Sequence, residues 1–294
     1  MLGMPAGLQT PRRRRPFRRG AALLPSLFTV ANLGMGWYSI QQACLALQLR
    51  DPTLGRQAGH LDAAAKAIGW AMLLDFVDGF MARWTHTSSA FGREFDSLAD
   101  VISFGVAPAL LAYIWGLRFL SLPPAQMQPL DHAGQIVCFL FVIACAARLA
   151  RFNIAGLEAK PSNPGRADRK YFVGMPTPAA AGLAAAVVHF FASRNFRYGE
   201  PNTSGVAAIA WLALLLLLSF FMVSTWRFLS FKELALRRRR TWATVVQYAL
   251  LVGVIFFFSE VVLLAVAITY TGAAVFWRLS HYWHRGRRPV MRAS

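Results

Sequence analysis

The chain has 294 residues, 56% of them hydrophobic, and a mean hydropathy of +0.42. This composition excludes an ordinary soluble domain, because a soluble domain of this length needs more polar residues to cover its surface. The formal net charge is +18, but the 31 basic residues lie in short clusters between apolar runs. We therefore expect anionic lipid headgroups, and no nucleic acid, as the partner of these charges.

The first 22 residues form a basic segment ahead of the first apolar run. Six arginines lie between Arg12 and Arg19. Signal peptides share this pattern, but here the apolar run continues to about residue 47 without a small-residue cleavage site, which favours a retained membrane helix. We predict a basic tail over residues 1–22, a membrane domain over residues 23–280 and a second basic tail over residues 281–294.

Apolar stretches recur along the whole membrane domain. Crossing the hydrocarbon core of a bilayer takes roughly 20 mostly apolar helical residues, and eight stretches approach that length. The fold class predicted is therefore an all-α integral membrane protein with about eight transmembrane helices. The predicted spans are residues 24–47, 62–84, 97–119, 132–151, 174–193, 204–226, 241–258 and 260–280. The Pro/Gly-rich stretch 160–174 is predicted to be a loop.

The distribution of Lys and Arg predicts the orientation, because cytoplasmic loops collect basic residues. If the N-terminus is cytoplasmic and eight helices follow, the cytoplasmic segments hold 25 of the 31 basic residues and the opposite segments hold five. An odd number of spans would spoil this partition. We expect a multi-pass protein of the cytoplasmic membrane with both termini in the cytoplasm.

The acidic residues are concentrated in one short region. Of 13 in the chain, Asp75, Asp78, Glu94, Asp96 and Asp100 lie within 26 positions. Spacings of three and four put the first two aspartates on one helical face and the last two on another. Because a carboxylate in a membrane helix is costly, such residues indicate function. Magnesium or manganese would neutralise them through all-oxygen ligation, so the four aspartates are predicted to bind two divalent cations; the alternative is salt bridges to arginines on neighbouring helices.

Small residues and one arginine accompany these acids. Gly79, Ala82 and Gly92 open the helix surface, so that a phosphate could approach closely, and Arg83 offers a planar donor fork that suits phosphoryl oxygens. The alternative for the small residues is tight helix packing.

The whole run resembles the signature of the CDP-alcohol phosphotransferases, DxxDGxxAR, a spacer, then GxxxDxxxD. This chain reads DFVDGFMAR, eight further residues, then GREFDSLAD. Residues 96–108, 148–153, 174–181 and 222–232 are similar to the phosphatidylserine synthase branch of that family. Ser97 and Val101 stand where the phosphatidylglycerophosphate synthase branch carries proline and lysine. The resemblance covers about residues 23–235.

The resemblance implies a CDP-alcohol phosphotransferase-like helical bundle that transfers the phosphatidyl group of CDP-diacylglycerol to L-serine. It implies that two Mg²⁺ or Mn²⁺ ions are held by Asp75, Asp78, Asp96 and Asp100, and that Asp100 is the general base. It also implies a homodimer. The orientation predicted from the basic residues puts the active site on the cytoplasmic side.

Further contacts are expected around this site. The resemblance makes Gly79, Ala82, Arg83 and Gly92 the nucleotide and phosphate contacts. Arg148 and Arg151, three apart on the fourth predicted helix, are candidates for the carboxylate of serine, with ordinary cytoplasmic flanking charges as the alternative. Further polar candidates are Thr29, Asn32 and Asn153.

Two other functions stay open from the sequence. The same donor could serve another small alcohol, such as glycerol 3-phosphate or an inositol phosphate. An ion-coupled transporter would also use membrane acids, but it predicts acids at mid-depth and internal symmetry, whereas these acids lie toward one end and no repeat is evident.

Overall fold

The structure is a computed structural model that describes residues 23–49, 55–85, 90–120, 122–158, 171–198, 204–229 and 261–272. Helices account for almost all of these residues. Their bounds are α1 Leu23–Gln48, α2 Gly55–Thr85, α3 Ala90–Asp100, α4 Ala107–Leu117, α5 Pro124–Glu158, α6 Thr177–Tyr198, α7 Gly205–Val223 and α8 Val261–Gly272. A π-helical turn, Val101–Val106, joins α3 to α4 without a break.

The predicted spans coincide with helices wherever the structure describes them. The first six correspond to α1, α2, α3 with α4, α5, α6 and α7, the eighth overlaps α8, and the span 241–258 lies outside the described residues. Within the described part, three helical stretches are long and apolar enough to cross a membrane: Phe91–Leu117, Pro124–Ile154 and Gly205–Val223. The prediction of a helical membrane protein is confirmed, and the count of about eight spans stays a prediction.

The helices pack through small residues. α1 runs along α2, α2 packs on α6, α5 packs on α7, and the α3–α4 helix lies between α1 and α5. The buried side chains at these contacts are rich in alanine, including Ala43 on α1, Ala64 and Ala71 on α2 and Ala184 on α6. Small side chains let helix backbones approach closely, which is how helices associate when the surrounding lipid is as apolar as the core.

Large apolar side chains face outward. Leu27, Trp37, Ile136, Phe139 and Val206 are each more than half exposed. Such a surface would be unfavourable in water and suits a hydrocarbon solvent.

A short pair of strands departs from the all-helical expectation. β1, Tyr171–Val173, pairs antiparallel with β2, Arg227–Leu229, so the end of the predicted 160–174 loop is an extended ribbon. The sequence carries no sign of this pair, because a three-residue strand has no measurable period and its partner lies far along the chain.

Gly174 follows β1 at the point where α5, α6 and α7 meet. Its φ is +80°, and a Cβ there would lie 2.7 Å from the Met222 carbonyl oxygen and 2.9 Å from Nη2 of Arg151. Its N–H donates to the Trp226 carbonyl at 2.8 Å. Glycine is required here both by the left-handed backbone and by the lack of space.

We therefore expect Gly174→Ala to lower the free energy of unfolding by about 1–3 kcal/mol, measured by thermal or denaturant unfolding in detergent. Gly34→Ala is the matched control, because Gly34 is helical and has open space where a Cβ would stand. That change should be neutral or stabilise by up to about 1 kcal/mol. Equal destabilisation by both variants would contradict the specific requirement for glycine at position 174.

Candidate functional site

Three of the four predicted aspartates meet at one point. Asp75 on α2 and Asp96 and Asp100 on α3 each place a carboxylate oxygen within 4.8 Å of the other two. Asp100 is only 7% exposed. Ionised carboxylates this close repel one another, the more so where water is scarce. The arrangement is unfavourable unless something positive stands between them.

Asp78 lies beside this cluster. It is buried, and its Oδ2 accepts a hydrogen bond from Thr29 Oγ1 at 2.5 Å. It is near enough to Asp96 and Asp100 to interact with both electrostatically. Among the described residues, Oδ1 of Asp78 and Oδ1 of Asp96 are buried without a hydrogen-bond partner. Carboxylate oxygens left without a protein donor favour a cation as the neutralising group over the salt-bridge alternative.

Helix α1 lines the cluster with one polar face. Thr29 contacts Asp78, and one turn further on Asn32 Nδ2 donates to Oδ1 of Asp100 at 3.1 Å. Thr29 and Asn32, the two polar candidates on α1, therefore contact the aspartates themselves.

The π-helical turn begins directly after Asp100, and sequence reasoning did not foresee it. Its Ser103 donates to the carbonyl of Asn32 at 3.1 Å. A Cβ on Gly36 would lie 2.8 Å from the Ser103 Cα, so only glycine lets α1 approach this turn. Wide turns of this kind occur often at functional sites, because they redirect the side chains around them.

The expected phosphate contacts lie on the same helices. Gly79 is half-buried on α2 directly after Asp78, and Gly92 is half-buried in the first turn of α3. Ala82 and Arg83 continue α2, and their side chains lie outside the described part of the structure.

The two candidate arginines of α5 have different surroundings. Arg151 donates from Nη1 to the Val223 carbonyl at 3.0 Å and from Nη2 to the Met222 carbonyl at 3.4 Å, at the C-terminal end of α7. Arg148 is partly buried, its Nε has no hydrogen-bond partner among the described residues, and it interacts electrostatically with Asp100.

Asn153 connects the end of α5 to the start of α3. Its Nδ2 donates to Ser97 Oγ at 3.0 Å and lies 3.5 Å from Glu94 Oε2, and Ser97 in turn donates to the Arg93 carbonyl at 3.0 Å. These bonds hold α5 next to the segment that carries Asp96.

The donor set fits a hard divalent cation. Asp75, Asp96 and Asp100 offer only oxygen atoms, which lie within 4.8 Å of one another, and Asp78 lies next to them with an oxygen that no described residue bonds. Mg²⁺ and Mn²⁺ both prefer such all-oxygen ligands.

Comparison with known proteins identifies the family of the chain. The family model described as CDP-alcohol phosphatidyltransferase matches residues 22–210. The chain belongs to this family. The matched range includes every aspartate, small residue and arginine that the sequence analysis assigned to the site.

Relatives with curated names come from several distant organisms. A Helicobacter pylori (strain 26695) protein is 36% identical over 212 residues, covering 72% of this chain and 73% of the relative. A Mycobacterium tuberculosis (strain H37Rv) protein is 36% identical over 197 residues, covering 65% and 56%. A Saccharomyces cerevisiae protein is 35% identical over 162 residues, covering 55% and 51%. Each of the three is named CDP-diacylglycerol–serine O-phosphatidyltransferase.

The carboxylate cluster predicts how stability responds to metal. In chelator-treated detergent solution, Asp96→Asn should unfold at the same temperature as the wild type or higher, because one repelling charge is gone. Added Mn²⁺ should stabilise the wild type, by about 2.7 kcal/mol when the free ion reaches 100 times its Kd, and should stabilise Asp96→Asn much less.

Asp62→Asn is the control for this experiment. Asp62 lies on α2, the helix that also carries Asp75, but it pairs with Lys66 at 2.6 Å and with His189. Its loss should therefore lower the melting temperature without changing the increase produced by Mn²⁺. An equal Mn²⁺-dependent increase in Asp96→Asn and the wild type would exclude Asp96 as a ligand.

Proposed function

We propose that this chain is a CDP-diacylglycerol–serine O-phosphatidyltransferase, which transfers the phosphatidyl group of CDP-diacylglycerol to the hydroxyl of L-serine and forms phosphatidylserine and CMP. The observation that supports it most is the clustering of Asp75, Asp96 and Asp100 within the signature of the family to which the chain belongs. The shared name of relatives in bacteria and yeast supports serine as the acceptor.

Asp75, Asp78, Asp96 and Asp100 would hold two divalent cations, Mg²⁺ or Mn²⁺. When bound, these ions neutralise the pyrophosphate of the donor and the charge that develops on the departing CMP. Gly79 and Gly92, together with Ala82 and Arg83, would contact the nucleotide and its phosphates.

Asp100 would accept the proton of the acceptor hydroxyl. The serine oxygen then bonds to the phosphorus that carries diacylglycerol, and the bond from that phosphorus to the CMP oxygen breaks. Asp100 is buried, so few water molecules can compete with the alcohol at that point.

Arg148 is the residue that we propose for the carboxylate of serine. Its guanidinium is partly buried, lies in electrostatic range of Asp100 and has an unpartnered Nε among the described residues. Arg151, also expected there from the sequence, donates to two carbonyls of α7 and would support the site by holding α5 against that helix.

We propose the same membrane arrangement that the sequence predicts. About eight helices would cross the cytoplasmic membrane within residues 23–280, with the aspartates and both basic tails, residues 1–22 and 281–294, on the cytoplasmic side. The exposed apolar side chains and the distribution of basic residues support this arrangement. A homodimer is part of the proposal on the family resemblance alone.

The activity is tested in membranes from a host that lacks its own phosphatidylserine synthase, supplied with CDP-diacylglycerol, Mn²⁺ or Mg²⁺ and labelled serine. Labelled phosphatidylserine should form, and chelator or Asp100→Asn should abolish it. CMP release with glycerol 3-phosphate or an inositol phosphate, and not with serine, would leave the donor assignment intact and exclude serine. If the protein is folded but releases no CMP with any of these alcohols, the proposed enzyme activity is contradicted.

Substitution of the two arginines should have different effects on the kinetics. Arg148→Gln should raise the KM for serine by about tenfold to a hundredfold, as expected for loss of a bond to a charged group, and leave the KM for CDP-diacylglycerol nearly unchanged. Arg151→Gln should mainly lower the melting temperature, because the Met222 and Val223 carbonyls lose their donors. A larger change of the serine KM in Arg151→Gln than in Arg148→Gln would reverse the two roles.

A further inference from the structure

Asn32 is joined to the second half of the aspartate motif by two hydrogen bonds. It is completely buried on α1, its Nδ2 donates to Oδ1 of Asp100 at 3.1 Å, and its carbonyl accepts from Ser103 Oγ at 3.1 Å. One bond reaches the last residue of α3 and the other reaches the π-helical turn that follows. Asn32 therefore contacts the chain on both sides of the point where the helix widens.

From this geometry we infer that Asn32 is a positioning residue for the transfer reaction, whose amide fixes the direction of the Asp100 carboxylate. The inference rests on the proposed function, because Asp100 is the proposed base there. Neither the family signature nor the names of the relatives assign a role to Asn32.

The chemistry of the two groups determines which atoms face each other. An ionised carboxylate only accepts hydrogen bonds, so the amide must present Nδ2 to it. Rotation of an aspartate about its last torsion is soft, and a single bond to a fixed donor is enough to select one orientation. The amide engages Oδ1 of Asp100, and the second oxygen stays available for a cation or for the proton of the acceptor.

Asn32 is itself held firmly. Ser103 is completely buried, and a Cβ on Gly36, one turn after Asn32, would lie 2.8 Å from the Ser103 Cα. The backbones of α1 and the π-helical turn are thus almost in contact. Asn32 is completely buried and bulk solvent does not reach it, so removal of the amide would leave Asp100 Oδ1 without that donor.

The cost of burying Asn32 favours this role over simple packing. Its Oδ1 is buried without a hydrogen-bond partner among the described residues. A buried amide with one unsatisfied end is less stable than a leucine of similar size would be. Packing alone would therefore select an apolar residue, whereas orientation of Asp100 requires the donor.

The test compares Asn32→Leu with Ser39→Ala in the full-length protein. Ser39 is the matched control, because it is also completely buried on α1 and donates a hydrogen bond, but to the Ala64 carbonyl of α2 at 2.9 Å. Per folded molecule, Asn32→Leu should lower kcat by about 10- to 100-fold and change the KM of either substrate less than about twofold. Ser39→Ala should keep the wild-type kcat.

Ser103→Ala provides a second, milder variant. It should lower kcat by less than Asn32→Leu does, and the double variant should be no slower than Asn32→Leu alone, because Ser103 acts through Asn32. If Asn32→Leu does not fold, the inference is tested by comparing the kcat of Ser103→Ala with that of Ser39→Ala, and Ser103→Ala should have the lower value. Equal kcat in those two, or an Asn32→Leu variant with the wild-type kcat or with only a raised KM, would overturn the inference.

Failure of the proposed function gives a different result. If the wild type uses another alcohol, the same comparison is made with that alcohol. If it uses none, the Mn²⁺ concentration that gives half of the thermal stabilisation is measured. Asn32→Leu should raise that concentration by about tenfold or more and Ser39→Ala should leave it unchanged, since Asp100 belongs to the cluster. Equal values in the two variants would reject the role of Asn32.

Discussion

The arrangement of α1, α2 and α3 depends on one constraint, the cost of keeping carboxylates inside an apolar helical bundle. Asp78 and Asp100 are buried, and Asp75 and Asp96 are half-buried beside them. Such groups need either donors or cations, because water no longer solvates them. Among the described residues, α1 supplies one donor to each buried aspartate, and the aspartate oxygens that none of those residues reaches are the ones that we propose for a divalent cation. The donors on α1 and the proposed cation site therefore both offset the cost of burying the charges of these aspartates.

Two aspartates toward opposite ends of α2, Asp62 and Asp75, have different neighbours. Near its start, Asp62 meets cationic or protonatable partners, Lys66 at 2.6 Å and His189 of α6, and the resulting group ties two helices together. About 20 Å further along the helix, Asp75 meets two other carboxylates instead. Asp62 pairs with cationic or protonatable partners and so stabilises the fold, whereas Asp75 lies beside other acids and is one of the residues that we propose as metal ligands.

Close backbone approach makes this geometry possible. Gly36 allows α1 to contact the π-helical turn, and Gly174 allows the chain to pass beneath Arg151 where α5 meets α7. The first contact lies beside Asp100, and the second holds α5, which carries Arg148 on the turn before. Both contacts use the absence of a side chain to bring distant segments together, so the two proposed halves of the site, for donor and acceptor, each depend on one glycine.

The sequence by itself determined the helices and the identity of the acidic group. Apolar stretches of membrane length are local, and the spacings DxxD and DxxxD fix a helical face whatever the helices pack against. Tertiary structure alone decided the rest. Asn32 and Asp100 lie 68 positions apart, Arg151 and Val223 lie 72 apart, and nothing local to either residue indicates its partner. The same holds for the π-helical turn, which packs against α1 through Ser103, and for the β1–β2 pair, whose two strands lie far apart along the chain. Local patterns encode which side chains share a face, and long-range packing decides which face meets which.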